Sequence, residues 1–217
     1  MRSRIIQASL VVLVTGIALA AGVLLLFRAP ELPEMRTPGG PARIPDPVPW
    51  REPEADLLRF FPGANAHREE VRILSGERLT LIRRLGRQPT AEEHLAVLHR
   101  VLQGRRRLGV VLLRRVRGSG GAVEVVVAVA PDGKLRGIRL QRHREPERVA
   151  SLLGSEWLAA FRGRTAASDW SMDRSPLAVP EPARETARQI VEAVRSALIV
   201  LEIAEANGIP VGLEKHH

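Results

Sequence analysis

The clearest pattern in the chain lies between Ala122 and Pro146, AVEVVVAVAPDGKLRGIRLQRHREP. Val123, Val125, Val127 and Val129 alternate, so they share one face of a strand. Val126 and Ala128 make the opposite face apolar as well, which predicts a strand covered on both sides. Pro131-Asp132-Gly133 supplies a preset φ, a side chain that bonds its own backbone, and a residue free to take positive φ. The return strand, Lys134–Arg142, sets Ile138 and Leu140 against Arg139 and Gln141, the pattern of a half-buried strand.

Upstream, Ala55–Phe61 predicts a short helix ended by Pro62-Gly63, and Arg68–Leu74 a short strand. Leu79, Leu81, Ile82 and Leu85 predict an amphipathic helix stopping at Gly86. Thr90-Ala-Glu-Glu93 reads as a capping box, and the HLAVLHRVL that follows fits helix and strand equally. Leu108–Val116 reads as a strand, and Arg117–Gly121 as the loop of a hairpin. Downstream, Pro146–Phe161 has helical spacing broken at Gly154, and Gly163–Pro182 reads as loop. Ala187, Ile190, Val191, Val194, Leu198 and Leu201 form one apolar stripe of a long final helix. Pro182 is expected in its first turn, and Asn207-Gly208 at its end.

The first 53 residues have a different character. Ile5–Phe27 is a run of 23 residues without charge. As a helix it would be about 34 Å long, enough to cross a bilayer core. Ala18-Leu19-Ala20 resembles a signal-peptide cleavage site, but the apolar run continues to Phe27, so an uncleaved anchor is the favoured reading. Residues 28–53 hold eight of the sixteen prolines and predict an extended spacer. The expected order is thus a cytoplasmic lead at 1–4, an anchor at 5–27, a linker at 28–53, a domain at 54–206 and a tail at 207–217. Arginines flank the anchor on both sides, and we assign the N-terminus inside and the domain outside, in a single-pass cell-membrane protein. The predicted fold class is α+β: a small, mostly antiparallel sheet with packed helices, preceded by one transmembrane helix.

Net charge is +9, almost all from arginine. No compact basic run stands apart, and the scarcity of aromatics, with no tyrosine, argues against nucleic acid as a partner. The absence of cysteine excludes disulfides, a thiol nucleophile and cysteine-based zinc sites. The six histidines lack metal-ligand spacing, and no nucleophile elbow or Walker loop occurs. A Ser168/His143/Asp169 triad can be drawn, as it can in most chains of this length, and no residue is assigned as catalytic. Whether the protein is an enzyme is left open.

The order of features from Phe60 to Glu202 resembles the FMN-binding domain of RnfG- and NqrC-type subunits of ion-pumping redox complexes. The resemblance rests on Phe61-Pro62-Gly63-Ala64, Arg84-Leu85-Gly86, the VAVAPDGKLRGIRL hairpin and His143-Arg-Glu145-Pro146. It continues through Trp157-Leu158-Ala-Ala-Phe161-Arg-Gly163 and Ile190–Leu198. It implies an extracytoplasmic flavoprotein domain taking part in electron transport, with FMN as cofactor and other subunits of a membrane redox complex as partners. Residues 5–27 would contact lipid. In that family the flavin phosphate is often esterified to a threonine of an S/T-G-A-T-x-S/T motif just before the last helix, where backbone N–H groups and the helix dipole favour an anion.

This chain departs from that motif. Counting back without gaps, the attachment threonine falls on Arg184 and the glycine on Pro182, while Thr186 is the nearby threonine. Glu147 and Arg148 replace the glycines expected after His143, Glu145 and Pro146. The cofactor-binding candidates are therefore His143, Glu145, Arg184 and Thr186, with the phosphate near Arg184 and any flavin held non-covalently. Their bland alternatives are a strand-end cap for His143 and Glu145, a solvated charge for Arg184 and a surface hydroxyl for Thr186. The second functional reading is a cofactor-free accessory or scaffold domain of a membrane complex.

Overall fold

The structure is a computed structural model and describes residues 54–173, 175–207 and 209–211. The predicted lead, anchor and linker, and the membrane placement that rests on them, lie outside the described residues. Among those residues, no helix is long and apolar enough to cross a membrane.

The described residues form an α+β unit around one antiparallel sheet. In chain order the elements are α1 (Glu54–Phe60), β1 (Ala66–Ile73), α2 (Arg78–Leu85), α3 (Ala91–His94), β2 (Leu95–Gln103), β3 (Arg106–Arg117), β4 (Ala122–Val129) and β5 (Leu135–Arg142). They continue with α4 (Glu147–Leu152), α5 (Ser155–Ala159), α6 (Arg184–Asn207) and β6 (Ile209–Val211). The strand order is β5-β4-β3-β2-β1-β6, with every neighbouring pair antiparallel.

Alternation decides what covers each face. Val123, Val125, Val127 and Val129 face the main core with Leu112, Val110, Leu98 and Ala96, against the buried side of α6. Val126 and Ala128 face the other way and join Val101, Val111, Leu57 and Phe61 in a second, smaller core under α1. The two-sided cover read from the valine run is therefore present. The Pro131–Gly133 turn is also as expected, closed by an Ala130 N–H to Lys134 carbonyl bond of 2.9 Å, with Gly133 at φ 79°.

Other elements sharpen or correct the sequence reading. The capping box at Thr90 is real, with reciprocal bonds to Glu93, but it starts a helix of only four residues. The ambiguous HLAVLHRVL then runs as β2 from Leu95 onward, its two faces falling on two different cores. Gly86, at φ 77°, ends α2 as predicted. The long helix starts at Arg184, so Pro182 precedes its first turn instead of lying within it. Its burial is also wider than one stripe: from Ser196 to Leu201 every residue is buried, and α2 and α3 contact the helix in addition to the sheet. Ile209–Val211, past the expected domain end at 206, pairs with β1 through Val71↔Val211 and Ile73↔Ile209.

Candidate functional site

The β3–β4 loop, Gly118–Gly121, is closed by a Gly118 N–H to Gly121 carbonyl bond of 2.7 Å and folds over the segment leaving β5. That segment carries Glu145, which is buried. Its carboxylate accepts the Ser119 hydroxyl, the Gly120 N–H at 3.1 Å and the Thr186 hydroxyl at 3.3 Å. Thr186 in turn accepts the Ser119 N–H at 3.1 Å. The result is a clasp of one carboxylate, one serine, one threonine and two backbone N–H groups, set against the first turn of α6. A negative charge there is favoured by the helix dipole.

The glycines have a steric reason to be glycine. A Cβ on Gly118 would overlap the Glu145 carboxylate, and one on Gly120 would overlap the Arg144 carbonyl. Close approach of backbone to a carboxylate is what residues without a Cβ permit.

Glu145 and Thr186, picked out together from the sequence, thus meet in space. Thr186 is not a surface hydroxyl, since it is completely buried and both its donor and acceptor roles are used. His143 and Arg184 do not join the clasp. His143 is exposed on the segment after β5. Arg184 is exposed and pairs with Glu181 at 3.6 Å. Ser119, Gly118 and Gly120 were missed as participants. Their one signal was the Gly-Ser-Gly-Gly run, which reads equally as a plain hairpin loop.

A cleft of about 860 Å³ lies between residues 166–173 and the first half of α6, and none of the clasp residues lines it. Trp170 and Met172 contribute apolar surface, and the Trp170 indole N–H donates to the Thr165 carbonyl at 3.1 Å. Arg184, Arg188 and Arg195 line the cleft, each paired with a glutamate three residues before it: Glu181, Glu185 and Glu192. Asp169 and Asp173 line it too, so carboxylates outnumber guanidinium groups among the described lining residues.

These residues do not fit a flavin phosphate. At Thr186 the donors that would receive the anion are held by Glu145, and the space that glycine leaves open is filled by Glu145 and Arg144. A dianion entering the cleft would meet arginines already neutralised and two further carboxylates. No group of three or more His, Cys, Asp or Glu side chains that could hold a metal ion occurs among the described residues. No protein-family model matches the chain, and no curated protein matches it.

Proposed function

We propose that the domain is a cofactor-free accessory or scaffold domain of a membrane assembly, displayed outside the membrane on the residue 5–27 anchor and the proline-rich residue 28–53 spacer. The observation that carries this reading is the Glu145 clasp. The chain's own carboxylate takes the N–H and hydroxyl donors beside the first turn of α6, where a flavin domain of the resembled type would receive its phosphate. The scaffold of sheet and long helix supports a rigid surface for protein contacts.

The other reading keeps FMN, bound non-covalently, as an electron carrier. The cleft beside Arg184 favours it, being large enough for a flavin and edged by Trp170 and Met172. It requires the Arg184–Glu181 and Arg188–Glu185 pairs to open for the phosphate.

One preparation separates the two. The full-length chain, extracted from membranes in mild detergent, is run on native electrophoresis and its visible absorbance recorded. The scaffold reading expects migration within a larger assembly, no flavin absorbance, and no quenching of added FMN fluorescence. Flavin that co-purifies, or FMN fluorescence that titrates to saturation, would establish the electron carrier instead. Migration as a lone chain would remove the scaffold reading.

A further inference from the structure

A second feature lies on the other flank of α6. Arg114 sits on β3 opposite Val125 of β4, on the sheet face that carries Val110 and Leu112 into the main core. It is therefore a cation beneath a helix, only 6% exposed. Its Nη1 donates to the Leu113 carbonyl at 3.1 Å. Its Nε and Nη2 are buried and have no hydrogen-bond partner. Buried charges are ordinarily paired and hydrogen-bonded, because desolvation without a partner is costly.

The identity of the two orphan atoms is specific. Nε–H and Nη2–H form the side-on edge of a guanidinium, two parallel donors spaced for two oxygens of one carboxylate or phosphate. Of the nearby carboxylates, Glu92 lines the same cleft and acts on Arg114 through charge without a hydrogen bond to it, and the others are committed elsewhere. Glu93 receives Arg87 through two bonds of 2.7 and 2.8 Å and the Thr90 N–H at 2.7 Å. Glu192 is bonded to Arg87 at 3.1 Å, and Glu124 to Arg115 at 2.8 Å. Arg114 also lines a cleft of about 400 Å³, with Thr90, Gln189 and Ser196 adding polar groups and Arg115 and Arg117 of β3 at its edge. The described lining holds four arginines and three glutamates.

We propose that this cleft is an oxyanion site in which the Nε/Nη2 edge of Arg114 takes two oxygens of a carboxylate or phosphate group in a bidentate bond. The edge lies below the cleft surface, so entry involves rotation of rim side chains, of which Glu92 and Arg115 are exposed. This site is separate from the Glu145 clasp, and the proposal does not depend on whether the domain binds flavin.

The test is thermal unfolding of the full-length chain in detergent, titrated in parallel with inorganic phosphate and with acetate, ionic strength being held constant with sodium chloride. The expected result is a saturable rise in the unfolding midpoint with one or both oxyanions, absent with chloride. A response to phosphate alone assigns the site to phosphate groups, and a response to acetate assigns it to carboxylates. Arg114→Met should abolish the response while leaving the chain folded, because it removes a buried unpaired charge. Arg114→Lys, which keeps the charge without the fork, should shift the titration midpoint to at least about tenfold higher concentration. The exposed-pair variant Arg84→Met should respond as wild type. An unresponsive wild-type chain would overturn the proposal. So would an Arg114→Met chain, or an Arg114→Lys chain where the methionine variant does not fold, that titrates like wild type.

Discussion

At the scale of single residues, the Glu145 clasp turns a candidate ligand site into an internal bond network. Thr186 carries two of its hydrogen bonds, so the near-isosteric Thr186→Val leaves the Ser119 N–H without its acceptor and removes one donor to Glu145. A buried polar group stripped of its partner costs about 1–3 kcal/mol, and that loss should appear as a lower urea midpoint for Thr186→Val. Glu145→Gln keeps the shape but weakens three bonds that now end on a neutral oxygen or an added N–H, and a comparable drop is expected. If the clasp acts as a unit, the double variant should be less destabilised than the sum of the two singles. The resemblance singles out Glu145 and Thr186 as cofactor contacts, and nothing in the sequence says that they bond to each other. Ser119 is not singled out at all: its bond to Thr186 spans 67 positions, and nothing local to a Gly-Ser-Gly-Gly run says whether it faces water or a buried carboxylate.

At the scale of elements, glycines at two turns should behave very differently. Gly133 has φ 79° but open space where a Cβ would go, so Gly133→Ala should cost only the left-handed backbone penalty of about 1–2 kcal/mol. Gly120→Ala would drive a Cβ into the Arg144 carbonyl, which cannot rotate away. The loop must then lift off Glu145, at a cost of about 3 kcal/mol or more from overpacking and lost hydrogen bonds together. Comparing the two urea midpoints checks this order. On the other sheet face, α1 and Phe61 close the smaller core, and Phe61 also lies against Gly109, where a Cβ would strike its ring. Phe61→Ala should lower stability by about 3–5 kcal/mol.

The same elements show how far the sequence reaches. The hairpin at Ala122–Arg142 was legible because period-two alternation and turn chemistry are local. The HLAVLHRVL segment was not. Its side chains suit either helix or strand, and the decision came from Ala96 and Leu98 meeting α6 while Val101 meets α1, a property of the assembled layers. The width of burial on α6 was hidden for a like reason. One stripe is what a helix needs to pack on a sheet, and the wider burial comes with the contacts that α2 and α3 add.

At the scale of the whole molecule, buried charge links the layers and sets the response to pH. Arg100 on β2 bridges Glu70 on β1 to Glu205 on α6, and Arg87 joins Glu93 of α3 to Glu192 of α6. Burial alone would raise the Glu93 carboxyl, but hydrogen bonds from Arg87 and the Thr90 N–H outweigh it and bring it down to about 2, from an ordinary 4.5. Glu70 and Glu205 are also lowered, since their arginine partners outweigh burial. A carboxyl with a depressed folded-state pKa contributes stability that is complete above its unfolded value and lost as pH falls through the folded one. For Glu93 that window runs from 4.5 down to about 2, and the contribution at neutral pH is on the order of 2–3 kcal/mol. His99 adds a second window. Burial pushes its imidazole below 6.5, with Glu69 opposing the shift and His67 adding to it. The neutral form belongs to the folded state, so this stability is complete above 6.5 and falls as pH drops. The urea midpoint should therefore decline in two stages on acidification. His99→Leu should flatten the upper stage, which begins as pH falls through 6.5, and leave the lower one. Glu93→Gln should make the lower stage shallower, leaving the part that Glu70 and Glu205 contribute, with a reduced midpoint at neutral pH because Arg87 loses its buried partner. A single transition that neither variant alters would mean that these two groups do not control the acid stability of the fold.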